Sequence, residues 1–231
     1  MLFHQLFEAE SSTYTYLLAD MVSREAVLID PVIDTIERDI KLIQDYGLTL
    51  KFVCDTHVHA DHITAADELR KRLGSKTCVS KHAALPCVDI PLTDGDRIEF
   101  GAYALRVIET PGHTQCSTSF YIDNRLFTGD TLLIRGCGRT DFQNGSAEQL
   151  YHSVREKLFS LPPDTLVYPG HDYKGHTSSS IGAERTMNPR LKDGMSLKEF
   201  VTIMENLGLP VPKKIHEALP ANLACGKRPS L

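Results

Sequence analysis

The stretch Thr56-His57-Val58-His59-Ala60-Asp61-His62 decides how this chain is read. His57, His59, Asp61 and His62 are all metal-ligand types, and they fall within one short segment. Leu50 to Cys54 is a short apolar run that reads as a buried strand feeding Asp55 and this loop. The pattern from Ile63 to Leu73, closed by Gly74, reads as a helix leaving it. A loop between a strand end and a helix start can turn all four side chains into one cavity. Imidazole and carboxylate suit Zn, Fe or Mn. Buried without a metal, such a cluster would hold several polar groups at a cost. The plain alternative is a solvated polar loop, and the rest of the chain argues against it.

Three further turns present one ligand-type residue each. Thr110-Pro111-Gly112-His113-Thr114 follows a strand pattern at Tyr103 to Glu109, and Thr128-Gly129-Asp130-Thr131 follows one at Leu126 to Thr128. Tyr168-Pro169-Gly170-His171-Asp172-Tyr173 follows another at Thr165 to Tyr168. A lone His after a Pro-Gly turn is usually surface decoration. Three strand-terminal turns that each supply a His or Asp form a constellation.

The remaining pattern is mixed α/β. Phe3 to Phe7, Thr13 to Leu18, Ala26 to Ile29, Thr77 to Ser80, Arg97 to Phe100 and Ser117 to Ile122 read as strands. Asp30-Pro31 ends the third, since proline cannot continue a ladder. Thr35 to Tyr46 reads as a helix with Ile36, Ile40 and Ile43 on one stripe. Gly101-Ala102 reads as a tight hairpin. Further helices are predicted at Ala147 to Phe159, Ser179 to Met187 and Ser196 to Leu207.

At 231 residues the chain suits one large domain, or two at a stretch. A net charge of -5 argues against nucleic acid as a partner, which needs a basic patch. The one basic triplet, Arg70-Lys71-Arg72, reads as a solvated helix face. No apolar run reaches the roughly 18 residues of a membrane span. The N-terminus, Met1-Leu2-Phe3-His4-Gln5, shows no secretory signal. Six cysteines without a CxxC pair fit reduced thiols in a cytoplasmic protein better than a disulfide framework.

His57-x-His59-x-Asp61-His62, followed in order by His113, Asp130 and His171, resembles the signature of the metallo-β-lactamase superfamily. The resemblance implies that family's four-layer αβ/βα sandwich, with the metal site at the edge between its two sheets. It covers residues 1–231 as a single domain with a C-terminal helical extension from about 178. Leu132-Leu133-Ile134-Arg135-Gly136-Cys137-Gly138-Arg139-Thr140-Asp141-Phe142 is similar to the persulfide dioxygenases within that superfamily. His59 to Thr64, Leu150 to Val154, His171-Asp172-Tyr173, Glu184 to Leu191 and Pro220-Ala221-Asn222 are similar too. The segment between His113 and Asp130 is shorter than in some members.

This resemblance implies one Fe(II) per chain, held by His57, His113 and Asp130. Two imidazoles and a carboxylate leave coordination positions open, as in non-haem iron oxygenases. His59, Asp61, His62 and His171 would then support the ligands from behind or, alternatively, hold a second metal. The implied reaction oxidises glutathione persulfide with O2 and water to sulfite and glutathione. Arg139 is expected to bind a glutathione carboxylate with its planar fork. Tyr173 is expected to donate a hydrogen bond toward the reacting groups. Cys137 is either a modifiable thiol near the site or a small packed residue between two glycines. A homodimer in the cytoplasm, without nucleic-acid or membrane partners, completes the expectation. The alternatives are a two-metal glyoxalase II-like hydrolase of glutathione thioesters and a non-catalytic binding module that has kept the fold.

Overall fold

The computed structural model describes residues 1–227. The chain divides into two compact units, residues 1–92 with 97–105 and 211–231, and residues 93–96 with 106–210.

The first unit holds a six-stranded sheet in sequential order: β1 (Leu2–Glu8), β2 (Thr13–Ala19), β3 (Glu25–Ile29), β4 (Thr49–Cys54), β5 (Lys76–Ser80) and β6 (Ile90–Leu92). β1, β2 and β3 pair antiparallel, and β3 to β6 pair parallel. Parallel neighbours require crossovers, supplied here by α1 (Ile36–Asp45) between β3 and β4, α2 (Ala66–Leu73) between β4 and β5, and residues 81–89 between β5 and β6. The Ile36, Ile40, Ile43 stripe of α1 packs with Leu69 of α2 onto Leu17, Ala19, Ala26 and Leu28 of the sheet. Every residue of β2 is buried, so its Leu and Tyr side chains serve both faces. Arg70 and Lys71 of the basic triplet pair with Asp67, and Arg72 pairs with Glu37.

The second sheet runs in the order β12-β11-β10-β9-β8-β7. Its strands are β7 (Arg97–Phe100), β8 (Tyr103–Glu109), β9 (Thr118–Ile122), β10 (Arg125–Gly129), β11 (Leu166–Pro169) and β12 (Ser179–Ser180). β7 and residues 103–105 fall in the first unit, and the rest of the sheet in the second. The expected β7–β8 turn is present: Gly101 has φ +58, and its amide donates to Glu25. A Cβ at Gly101 would lie 2.1 Å from the Asp20 carboxylate, so only glycine fits. β9 and β10 are joined by Asp123-Asn124, both at positive φ, as a tight hairpin demands.

In the second unit, α3 (Ala147–His152), α4 (Ile181–Met187) and α5 (Leu197–Glu205) cover one apolar cluster. It includes Leu126, Leu132, Leu150, Val154, Ile181 and Phe200. α3 starts with a Ser146 cap and runs on as a π-helical turn over Ser153–Leu158. α5 starts with a Ser196/Glu199 capping box.

Three expectations change. The helix predicted from Ile63 begins at Ala66, because residues 63–65 pair instead with the 31–33 segment. Ile33 N donates to Ile63 O, and Ala65 N to Pro31 O. A further helix, α6 (Ile215–Leu223), lies where the residue pattern singled out no element, within the C-terminal helical extension that the resemblance implied, with Pro220 inside it. The cysteines are also not all reduced. Cys87 and Cys225 form a disulfide across 138 residues of sequence, while Cys54, Cys78, Cys116 and Cys137 are free and buried. Proximity that arises only on folding leaves no spacing pattern to read. No helix among the described residues is long and apolar enough to cross a membrane.

Asp39 sits on the buried side of α1 at 1% exposure. Arg38 Nε donates to its Oδ1, but its buried Oδ2 has no hydrogen-bond partner. Burial pushes its carboxyl up to about 6 despite Arg38, against 3.8 in a free chain. The folded state therefore holds this proton more tightly than the unfolded state does. Its stabilising contribution is complete below about pH 4 and is lost as pH rises through about 6. Asp39→Asn removes this dependence. Thermal melts should show the variant gaining on the parent between pH 4 and 7, by at most ~3 kcal/mol. A difference that stays flat over that range would contradict the assignment.

Candidate metal centre

In the first unit the ligand-type loop leaves the C-terminal end of β4, beside the end of β3. Asp30, just past β3, adopts φ +49, a conformation Asp tolerates better than most residues. Its Oδ1 accepts from Thr56 N at 2.7 Å and faces His59 Nε2 at 3.1 Å, while its Oδ2 accepts from Thr56 Oγ1 at 2.9 Å. Thr56 Oγ1 also lies 3.0 Å from His57 Nδ1, so the face that presents Nε2 is fixed by this contact. His62 Nδ1 lies 2.8 Å from Asp61 Oδ2. His57, His59 and His62 are all essentially buried, as the sequence suggested.

Two groups in this unit bring donor atoms within 4.8 Å of one another: His59, Asp61 and His62, and Asp30, Asp55 and His59. The carboxylates and imidazole perturb each other. Burial would depress the His59 imidazolium, but Asp30, Asp55 and Asp61 carry its pKa up to about 9. Burial pushes Asp55 up to about 7, with Asp30 adding to the rise and His59 opposing it. His59 Nδ1 is buried with no hydrogen-bond partner.

In the second unit the three turns bring His113, Asp130 and His171 together. His113 Nε2 lies 3.6 Å from Asp130 Oδ2, and His171 Nε2 lies 3.6 Å from Asp130 Oδ1. These separations are too long for hydrogen bonds. Each pair is spaced as two donor atoms would be around an ion about 2.1 Å from both. Asp130 Oδ1 is buried without a hydrogen-bond partner. His113 Nδ1 donates to Arg139 O at 2.7 Å, the tautomer that leaves Nε2 a lone pair for a metal. The donor set and its orphaned atoms thus fit a transition metal.

Glycines make this crowding possible. A Cβ at Gly138 would come within 2.4 Å of Asp130 O and 2.8 Å of His113 Nδ1. One at Gly170 would sit 2.8 Å from Asp130 Oδ1. The Arg135 to Arg139 segment is held from behind by residues that the sequence reading quoted only within a similar string and gave no role. Glu184, fully buried, pairs with Arg135 and accepts from Arg135 N at 2.9 Å and Asn188 Nδ2 at 2.9 Å. Asn188 also donates to Gly136 O, and Arg190 donates to Cys137 O. Gly138 N then donates to Asp130 O at 2.7 Å. Glu184, Asn188 and Arg190 therefore hold the backbone segment whose own groups bond His113 Nδ1 and the Asp130 carbonyl.

Arg139 is more committed than the sequence implied. Its fork makes a bidentate pair with Asp141 at 2.6 and 2.7 Å, and it donates to the carbonyls of Leu209 and Pro210. Tyr173 stacks parallel to His171 with ring centroids 6.0 Å apart, and it is 72% exposed. The turn beneath it is fixed by Asp172, which accepts from the amides of Lys174 and His176. Cys137 is buried against Met204 and Arg190, and burial pushes its thiol up to about 11 despite Arg190. That is the profile of a packed residue.

These features place the chain by comparison with known proteins. A model of the metallo-β-lactamase superfamily matches residues 10–171, and the chain belongs to that family. Within it, the chain is 52% identical over 229 residues to the human mitochondrial persulfide dioxygenase ETHE1, covering 98% of this chain and 89% of that one. The crystal structure of ETHE1 from Myxococcus xanthus superposes with a TM-score of 0.95 at 53% identity, covering 98% of this chain and all of that one. A Staphylococcus aureus metallo-β-lactamase superposes with a TM-score of 0.89 at 24% identity, covering 96% of this chain and 72% of that one, which speaks to the fold alone.

Glu184→Gln keeps the shape of the buried side chain but removes the charge that pairs with Arg135. The variant should lose ~1–3 kcal/mol in urea unfolding, since several charge-assisted bonds weaken together. Unchanged unfolding would show that the network does not hold the 135–139 segment.

Proposed function

We propose that this chain is an iron(II)-dependent persulfide dioxygenase that converts glutathione persulfide, O2 and water to glutathione and sulfite. Likeness to the persulfide dioxygenases over nearly the whole chain carries this reading, and a donor set of imidazoles and a carboxylate agrees with it. The activity is an oxidoreductase reaction: GSSH + O2 + H2O gives GSH, SO3 with two negative charges, and two protons.

In this reading His57, His113 and Asp130 hold one Fe(II) per chain. Bound there, iron supplies open coordination positions and the redox capacity to join oxygen to the outer sulfur. The protein's own groups hold and orient. Arg139 O keeps His113 in the tautomer whose Nε2 can ligate, and Thr56 orients His57. His59, Asp61, His62 and His171 support the ligands and set the local field. Tyr173, exposed and stacked on His171, donates a hydrogen bond to substrate from its hydroxyl. Arg139 reaches a glutathione carboxylate by exchanging its pairing with Asp141, whose side chain is 61% exposed. The whole chain acts as one domain, in a cytoplasmic homodimer.

The measurement is oxygen uptake by the iron-loaded protein on adding glutathione persulfide, with sulfite assayed in parallel. Uptake should match sulfite and fall at least ~100-fold in His113→Ala, because two ligands retain the metal poorly. No uptake by protein shown to hold iron, with hydrolysis of S-lactoylglutathione instead, would replace this reading with a two-metal thioesterase.

A further inference from the structure

α6 and the turn after it close onto the ligand loop through contacts of three kinds. Ala218 and Ala221 pack against Ile63. Asn222, at 3% exposure, accepts from Thr64 N at 3.0 Å and donates to His59 O at 2.8 Å and His62 O at 2.7 Å. Gly226 approaches so closely that a Cβ there would lie 2.5 Å from Thr64 O. One side chain thus joins three buried backbone groups of the segment that carries His59, Asp61 and His62. Without it, each of those buried groups would lose its partner.

α6 has little to hold it in place by itself. It is nine residues long with Pro220 inside, and the proline removes a helical donor. Three residues beyond Asn222, Cys225 is bonded to Cys87, whose carbonyl accepts from Arg70 Nη1 at 2.9 Å. Cys225 is buried, and Cys87 is part-buried. Asn222 and Cys225 line the same pocket as Asp55, His57 and His59.

We infer that Asn222 is a positioning residue for the metal-ligand loop, and that the Cys87–Cys225 bond keeps it seated, so that thiol redox state sets the order of the loop. The inference rests on reading that loop as part of a metal centre. Reduction is a two-electron exchange. One thiolate RS⁻ attacks Cys87 sulfur, the S–S bond breaks and the Cys225 thiolate leaves and takes up a proton. A second RS⁻ then attacks the mixed disulfide, giving RSSR and the Cys87 thiol. The persulfide chemistry proposed above makes glutathione, a thiol of the class required.

The test compares wild type, Asn222→Ala and Cys87→Ser as metal-free protein by hydrogen exchange, and then by Fe(II) affinity in competition with a chelator. Asn222→Ala should speed exchange at Thr64 and its loop neighbours at least ~10-fold, leave the β9–β10 hairpin unchanged, and weaken Fe(II) binding ~10–100-fold. Cys87→Ser, which leaves Asn222 intact, should shift both readouts in the same direction, as should wild type treated with dithiothreitol. Unchanged exchange and affinity in Asn222→Ala would overturn the positioning role. If that variant fails to fold, the oxidised and reduced wild type decide, and identical values for the two overturn the inference. A wild type that binds no Fe(II) but shows the exchange differences would leave the loop device standing and remove the iron reading.

Discussion

The Asp30 carboxylate, almost wholly buried, holds the Thr56 amide and hydroxyl and faces His59, and the ligand loop depends on it. A buried carboxylate is costly unless its lone pairs are filled by good donors. Here the donors come from the segment that must be shaped, so the charge compels the loop to adopt one conformation. The second unit solves the same problem with Glu184, also fully buried, which gathers the amide and guanidinium of Arg135 and the side chain of Asn188. Each set of candidate ligands is thus backed by a carboxylate from a distant part of the chain. Charge that would be a liability in a plain core becomes a means of fixing direction.

This arrangement explains why glycine recurs around the ligands. Gly138 and Gly170 sit where any Cβ would strike Asp130 or His113. They let backbone pass close to the ligands, so that Gly138 N can bond Asp130 O directly. Rigidity here comes from short backbone contacts, and side-chain bulk would prevent them.

Much of this was legible in advance where a local rule governed it. β7 and β8 begin and end where alternation and the Gly101-Ala102 turn placed them, and α1 buries its predicted stripe. The ligand-type loop and the three turns that present His113, Asp130 and His171 stood out because unusual residue types recur at strand ends. What escaped was decided by tertiary contact. Pro220 argues locally against a helix, yet α6 forms because Ala218, Ala221 and Asn222 are matched to Ile63 and the loop carbonyls. The three-residue β6 exists by pairing with β5 and carries too little pattern to be seen. Asp30 was read only as the end of a strand, and Glu184 only as part of a similar string. A single acidic residue carries no mark of burial until the fold supplies its donors. Arg139 was singled out for a fork that suits an anion, and local pattern gave no sign that Asp141, two residues away, pairs with that fork.

The thiols bear on the proposed chemistry. A persulfide exchanges readily with any accessible thiolate, so an enzyme that handles one must keep its own cysteines from competing. Reactivity follows the thiolate fraction. With its thiol pushed up to about 11, Cys137 holds ~1 part in 10⁴ as thiolate at neutral pH. Cys54, raised well above 9 chiefly by burial, is as inert, and Cys78 and Cys116 are buried as well. The two remaining cysteines are bonded to each other. Among the described residues, every free thiol is buried while the Cys87–Cys225 bond is intact. Cys137 lies two residues from Arg139, whose carbonyl orients His113, so its buried thiol is packed into the segment that fixes that imidazole.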